Sequence, residues 1–479
     1  MGASLPEQLI LPLSELLAAR IGLYFPKELW HDLERGIAAA APAFGAADVA
    51  ACARRLLTAP LTHREIEILA SYLTVGETYF FREKRSFEAL EQHILPQLIH
   101  LRAEGDRRLR IWSAGCSTGE EAYSIAMLLD RLLPDIDEWN ITLLATDINP
   151  LVLRKAAEGI YGEWSFRDTP DWLRARYFRR HNHGRFELSS AIRQRATFSY
   201  LNLAEDVYPS LTTNTNAMDV ILCRNVLMYF SPAWMKRVAA RLRQSLADGG
   251  WLIVSPTETS NALFHPLRAV EFPGVIVYRN HADAEAHDAV ISYSHALAAQ
   301  PAEAGTQWPA IPPTETVNPA AIPLMPATPC VAASAVIRPR AEQETLIRSA
   351  RDCANRGRLD EALAWCEQAI GADKLNPTHH YLLAIIQQEL GRNDLAAESL
   401  KRVLYLDPDF VLAHFALGNL RLAQGRHHQA CRHFDNVLTL LRAHPHDEVL
   451  PEAEGLTAGR LGEIVASIRM SLPWAATNG

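Results

Sequence analysis

The chain is 479 residues long, more than one hydrophobic core usually organises, so two or three domains are predicted. With 48% hydrophobic and 21% charged residues and a formal charge of -8, its composition is that of a globular protein with no net electrostatic pull toward nucleic acid. No apolar run reaches the ~18 residues needed to cross a bilayer. Glu7 stands where a secretory leader would carry basic residues, and seven cysteines without a CxxC pair indicate neither a disulfide framework nor a zinc site. A cytoplasmic location is expected.

Residues 1–75 form an amphipathic, Ala- and Leu-rich section without strand-like runs, predicting an N-terminal helical subdomain. From Leu109 short apolar runs alternate with helical segments: LRIWSAG, a helix over about 120–133, ITLLATD, a helix from Asn149, MDVILCRN, a helix over 232–246, then GGWLIVSP. That alternation predicts an α/β domain over 76–280, a parallel, doubly wound sheet with helices on both faces. VIVYR adds a last strand, placed at an edge. Residues 281–340 are rich in Ala, Pro, Thr and Glu and too poor in apolar surface to offset their ordering entropy, which predicts a mobile linker. Over 341–445, Gly357, Gly391 and Gly425 are spaced by 34 residues, as are Ala362, Ala396 and Ala430. Each Gly separates two helical patterns, so this all-α module resembles the tetratricopeptide repeat. Stacked hairpins of this kind present a concave surface to a protein or peptide partner. A C-terminal helix and tail follow over 446–479.

The stretch IWSAGCSTGEEAYSIAM, residues 111–127, runs from a strand through Gly115 and Gly119 into a helix. Glycines there let backbone amides approach a ligand, which by itself fits NAD, FAD, another nucleotide-like molecule or no ligand. ITLLATD ends in Asp147, placed to accept hydrogen bonds from ribose hydroxyls. Glu120 and Glu121 would repel a pyrophosphate and suit a cationic, phosphate-free ligand such as S-adenosylmethionine; they also read as ordinary acidic residues at a helix N-terminus. Cys116 and Cys223 read as small buried hydrophobes rather than nucleophiles. His427, His428 and His433 do not share a helix face and read as solvated or interfacial. His427 and Cys431 stand one turn apart without further ligands, so no metal is expected. The basic run RARYFRRHNHGR, with Arg174, Arg176, Arg179, Arg180 and Arg185, is either a solvated face or, with Arg54 and Arg55, a surface that steers an acidic substrate.

Four segments, TVGETYFFRE, WSAGCSTGEEAYSIAM, ATDINPLVLRKA and MDVILCRNVLMYF, resemble the signatures of the CheR-type chemoreceptor glutamate methyltransferases, in the same order, over about residues 10–280. The repeat-bearing tail is similar to that of the WspC-like branch of that family. The resemblance implies a class I, Rossmann-like methyltransferase with S-adenosylmethionine as cosubstrate and no metal. It implies a glutamate on a chemoreceptor's cytoplasmic coiled coil as acceptor, in a chemotaxis or surface-sensing pathway, without nucleic acid or membrane insertion. Carried over, the donor-binding positions are Thr78, Arg82, Glu121, Asp147, Asn202, Leu203, Arg224 and Asn225. Tyr229 joins them as a candidate near the transferring methyl. The family often has Asn where this chain has Gly76, and the receptor-tail-binding subdomain falls at 177–200, with a short HNHG turn. A glutamate acceptor has a pKa of roughly 4.3 and needs no general base. Arg82 is therefore read as the group that orients the acceptor carboxylate, through charge-assisted hydrogen bonds. Two other classes stay open at this stage, a scaffold without turnover and a Rossmann oxidoreductase.

Overall fold

The computed structural model describes residues 5–281, 291–292, 340–446, 448–453 and 456–471, so the expected linker lies almost wholly outside the described residues. Four helices, Glu7–Ile21, Trp30–Ala40, Val49–Thr58 and His63–Leu73, form the N-terminal bundle around Leu13, Leu17, Leu33, Ile37 and Leu69. Asp48 caps the third helix by accepting from Ala51 N, and Thr62 with Glu65 forms a reciprocal capping box on the fourth, so both starts have their exposed amides satisfied. Ile148 and Tyr229 pack against this bundle from outside it. The bundle thereby reaches the carboxyl ends of the sheet strands.

In chain order the strands are β1 (Arg108–Ala114), β2 (Asn140–Asp147), β3 (Ile160–Tyr161), β4 (Phe178–Arg180), β5 (Phe186–Leu188), β6 (Ala196–Tyr200), β7 (Met218–Leu222), β8 (Leu246–Ile253), β9 (Arg268–Phe272), β10 (Val275–Arg279) and β11 (Ile291–Ser292). The main sheet has the order β11-β9-β10-β8-β7-β1-β2-β6. Its β8-β7-β1-β2-β6 part is parallel, with Ile111 of β1 registered against Leu143 and Val220. Side chains alternate between two cores: Leu109, Ile111, Trp251 and Ile253 lie on one face, Trp112, Ala114, Leu252 and Val254 on the other. That is the pattern of strands covered on both sides by helices.

The sheet is mixed rather than wholly parallel. VIVYR is β10 and lies inside the sheet, antiparallel to β8 and to β9, instead of at an edge. Its outer neighbour β9 reads RAVEF; Arg268 and Glu271 interrupt its apolar run, so it lacks the signal that flags the other strands. A second, small sheet of order β3-β5-β4 occupies much of the 177–200 region, and its 182–184 turn places His183 at φ 58.

The repeat region folds into three helical hairpins, Arg340–Asn355 with Leu359–Ala372, Pro377–Glu389 with Asn393–Leu406, and Val411–Ala423 with His427–Leu441. The three glycines at the 34-residue period sit in the intervening turns with φ of 78, 71 and 70, a conformation that favours a residue without Cβ. His427 and His428 are exposed, as read from the sequence, but His433 is not. Its Nδ1 lies 3.1 Å from Nδ1 of His414, and burial, reinforced by His414 and nearby arginines, pushes its pKa down to about 4.

The repeats are docked on the α/β module. Glu389, at the end of the second hairpin's first helix, accepts from Arg108 Nη2 at 2.9 Å and from Asn216 Nδ2 at 2.9 Å, and its carbonyl accepts from Asn140 Nδ2 at 3.0 Å. These partners stand at the amino ends of β1, β7 and β2. A last helix, Ala458–Ser471, packs on the third hairpin and sets Arg460 over the Tyr200 ring, 3.9 Å from its centroid.

Candidate active site

A crevice of about 1060 Å³, open mouth included, lies at the carboxyl ends of β1, β2 and β7, closed on one side by the segment 73–82 and by Ile21 and Leu23 of the N-terminal bundle. Its position is where open α/β sheets take ligands, outside the strand ends. All nine site residues read from the sequence border it: Thr78, Arg82, Glu121, Asp147, Asn202, Leu203, Arg224, Asn225 and Tyr229. They come from five stretches of chain that only the fold brings together.

The turn after β1 determines the floor. Gly115 adopts φ 83, and a Cβ built there would stand 2.4 Å from Val226 Cγ2, so the β1 and β7 turns can close on each other only with glycine at 115. Gly119 (φ 92) precedes the helix Glu120–Leu132 and approaches Ala156 in the same way. Asp147, the last residue of β2, accepts Ser117 N with one carboxylate oxygen and Asn149 N with the other, each at 2.9 Å. Burial pushes its carboxyl above the usual range and the amide bonds draw it back. Both oxygens are thus fixed in place, each keeping a further lone pair for a donor in the crevice.

Behind this floor runs an ion-pair network. Arg224, whose side chain is 2% exposed, donates Nη1 to Glu121 at 2.9 Å and Nη2 to Glu83 at 3.0 Å and to the Arg82 carbonyl. Its charge is matched by two carboxylates, so Arg224 positions Glu121 and the Arg82 loop rather than presenting a cation to the crevice. Glu121 is held on its other oxygen by Ser113 Oγ at 2.7 Å. Asn225, at φ 57, donates Nδ2 to Glu83 at 3.3 Å and its backbone N to Glu258 at 2.8 Å. Glu258, buried, also accepts Met228 N at 3.1 Å, and so shapes the turn that presents Asn225 and Tyr229. Glu83 and Glu258 are the members that sequence reasoning missed. Glu83 was legible as the residue after Arg82 in TYFFRE; Glu258 stands alone in sequence and carried no signal.

The remaining candidates divide by how much of their side chain is committed. Asn202 is 1% exposed and ties the site together: Nδ2 donates to the Arg20 carbonyl at 2.9 Å and Oδ1 accepts Ala204 N at 3.0 Å. Leu203 is a buried apolar wall. Arg82 donates Nη1 to the Glu77 carbonyl at 2.6 Å, and its other guanidinium nitrogens make no hydrogen bond among the described residues. The hydroxyls of Thr78 and Tyr229 likewise make none. Glu120 departs from the sequence reading: its carboxylate turns away to Thr118 Oγ1 (2.6 Å) and Ser165 Oγ (3.0 Å), so Glu121 alone of the pair borders the crevice. A Cβ at Gly76 would meet only Ser117 Oγ and Val152 Cγ1, at 3.5 and 3.6 Å, so the site has room for a side chain there. Cys116 and Cys223 are buried and burial pushes both thiols far up, the state of an inert hydrophobe.

Outside the crevice, Arg174 pairs with Glu163 and Asp171, Arg176 with Asp130, and Arg179 with Glu187, so most of the basic run is neutralised locally. Arg55 pairs with Glu65. Arg54, Arg180 and Arg185 are exposed without a partner among the described residues. His63, Glu67 and Glu463 converge as a metal site would, but Arg460 Nη1 lies 2.7 Å from His63 Nε2 and 3.1 Å from Glu463, so a guanidinium already supplies the positive charge there.

The domain model for the CheR methyltransferase, SAM binding domain, matches residues 76–272, and tetratricopeptide-repeat models match 344–368, 380–410 and 411–436. The protein named "Probable biofilm formation methyltransferase WspC" of Pseudomonas aeruginosa is 29% identical over 371 residues, covering 77% of this chain and 84% of that protein. Chemotaxis protein methyltransferase 1 of the same organism is 36% identical over 222 residues, 44% of this chain and 77% of the relative. Chemotaxis protein methyltransferase 2 of Vibrio cholerae is 34% identical over 207 residues, 43% of this chain and 70% of the relative.

Proposed function

The chain belongs to the CheR methyltransferase family, and from that premise we propose that it methylates glutamate side chains of chemoreceptor proteins, with S-adenosylmethionine as donor and glutamate methyl esters as product. The observation that carries the reading is the convergence of Asp147, Glu121, Arg82 and Tyr229 on one crevice at the strand ends. The residues present fit the donor. Asp147 offers two fixed acceptors to a ribose diol, Ile148, Val152 and Leu203 offer apolar surface to a base, and Glu121 offers a carboxylate to a cationic amino-acid tail. Nothing in this set resembles a pyrophosphate cradle, because Glu121 puts negative charge at the helix N-terminus where a phosphate would sit.

The donor supplies an electrophilic methyl on a sulfonium. The chain's own contribution is placement. An ionised glutamate is already the nucleophile, so the rate comes from holding a carboxylate oxygen in line and from excluding water around it. Arg82, at the lip with part of its guanidinium uncommitted, orients that carboxylate, and Tyr229 shapes the mouth from the opposite turn. The exposed Arg54, Arg180 and Arg185 favour the approach of an acidic receptor helix. A cytoplasmic location follows from the same substrate; among the described residues no single helix is long and apolar enough to cross a membrane.

The test is incubation of the purified chain with the donor and receptor cytoplasmic fragments, followed by mass spectrometry. A base-labile gain of one methyl on a glutamate is the expected result. Donor turnover without any such ester would overturn the assignment.

A further inference from the structure

In a stack of hairpins the first helices line one common face, the surface on which such arrays hold peptides. Here those helices are Arg340–Asn355, Pro377–Glu389 and Val411–Ala423. Beyond the third hairpin, which ends at Leu441, the chain turns back. Val449 bridges Thr457, Leu450 N donates to the Leu456 carbonyl at 3.1 Å, and Ala458 N donates to the Glu448 carbonyl at 2.8 Å, closing a compact loop.

Its apolar residues Leu450, Ala453 and Leu456 are at most 7% exposed and join one cluster with Tyr381 and Ile385 of the second hairpin's first helix and Leu412 and Phe415 of the third's. Glu452, at φ 62, pairs with Arg351 on the first helix of the first hairpin. The loop therefore shares one buried core with the second and third of these helices and is ion-paired to the first. An open groove would leave Tyr381 and Leu412 to solvent; they are 6% and 1% exposed.

The helix Ala458–Ser471 starts one residue after this loop. Arg460 and Glu463 bring it to His63 of the N-terminal bundle, at 2.7 and 3.3 Å, and Arg460 also covers Tyr200 at the end of β6. One continuous strap thus joins the repeat face to the bundle that walls the crevice.

We propose that the face formed by the first helices is a peptide-binding surface whose resident occupant is the chain's own residues 448–453 and 456–457. A partner reaches it only as a peptide of the same chemistry, apolar anchors in the places of Leu450, Ala453 and Leu456 around a carboxylate in the place of Glu452. Its arrival displaces the strap and loosens the Arg460 anchor on the N-terminal bundle. This holds whichever reaction the crevice performs.

The experiment uses the full chain, a fluorescent synthetic peptide of residues 446–458, and the Leu450→Asp/Leu456→Asp variant, which keeps Arg351. Hydrogen exchange should show the 448–453 amides protected in the unaltered chain and unprotected in the variant. The variant should bind the peptide at least tenfold more tightly than the unaltered chain. Open-peptide exchange rates at 448–453 in the unaltered chain, or equal peptide binding by the two, would overturn the proposal. Should the variant's helical circular dichroism collapse, a charge swap decides. Arg351→Glu should deprotect 448–453 and Arg351→Glu with Glu452→Arg should restore protection; no recovery in the swap refutes the cis contact.

Discussion

Replacing Glu389 by Ala tests the docking of the two modules, and its cost can be worked from the geometry. The Arg108 and Glu389 side chains are 4% and 6% exposed, so this is a buried pair, not the surface kind that contributes ~0–1 kcal/mol. Alanine at 389 leaves Arg108 and Asn216 under the repeats without their acceptor, a loss of ~3–5 kcal/mol for one broken partner of a buried pair. Arg110 adds to it. Its buried guanidinium has its pKa lowered by desolvation, and Glu389 is the first of the carboxylates that offset this. For a module of this size ~2–4 °C per kcal/mol converts the loss to a fall of roughly 6–20 °C in melting temperature, read by scanning calorimetry on the full chain. The Arg108→Met/Glu389→Met double variant should lose less than half of that, because apolar groups of similar volume need no partner. A shift under ~2 °C for Glu389→Ala, or a double variant as unstable as the single one, would refute the docking.

Gly115→Ala puts a Cβ 2.4 Å from Val226 Cγ2 at a positive φ, and is expected to weaken donor binding at least tenfold in calorimetry, with partial rescue by Val226→Ala. Unchanged affinity would remove that turn from the binding site. Glu258→Ala strips acceptors from the partly buried Asn225 and Met228 amides, at up to ~1–3 kcal/mol per donor left unsatisfied, and should cut methyl transfer about 10- to 100-fold while the helical signal persists. The His433 imidazole, pushed down from 6.5 to about 4, is neutral in the fold across that window. The unfolded chain binds the extra proton there, so the repeats should lose stability as pH falls from about 6.5 to about 4; His433→Gln should flatten that slope in urea titrations, and an unchanged slope would exclude His433 as its source.

The parallel half of the sheet was legible because its strands are buried on both faces and appear as short, predominantly apolar runs, LRIW, ITLLA and MDVIL, each with a single polar residue. The glycine period located the hairpin turns for a similarly local reason, since a positive φ selects one residue type. Seven of the nine crevice residues lie in motifs that are each contiguous in sequence, while Asn202 and Leu203 came only with the family resemblance. What escaped was decided at long range. RAVEF becomes a strand only beside VIVYR, and Glu258 matters only because the chain folds back to place it under Asn225 and Met228. Arg108 and Glu389 stand 281 residues apart, and neither helix nor strand periodicity relates them. Asn202 was read as a donor contact, whereas its amide is largely spent on Arg20 and Ala204, a distinction of orientation that no spacing carries.

Titration calorimetry with S-adenosylhomocysteine, set against NAD, bears most directly on the central claim. The account expects saturable one-to-one binding of S-adenosylhomocysteine, no heat with NAD, and at least a hundredfold weaker uptake by Asp147→Ala, since two charge-assisted bonds of ~1.5–3 kcal/mol each would be lost. Absence of S-adenosylhomocysteine binding, or an Asp147→Ala chain that binds it as tightly as the unaltered one, would contradict it.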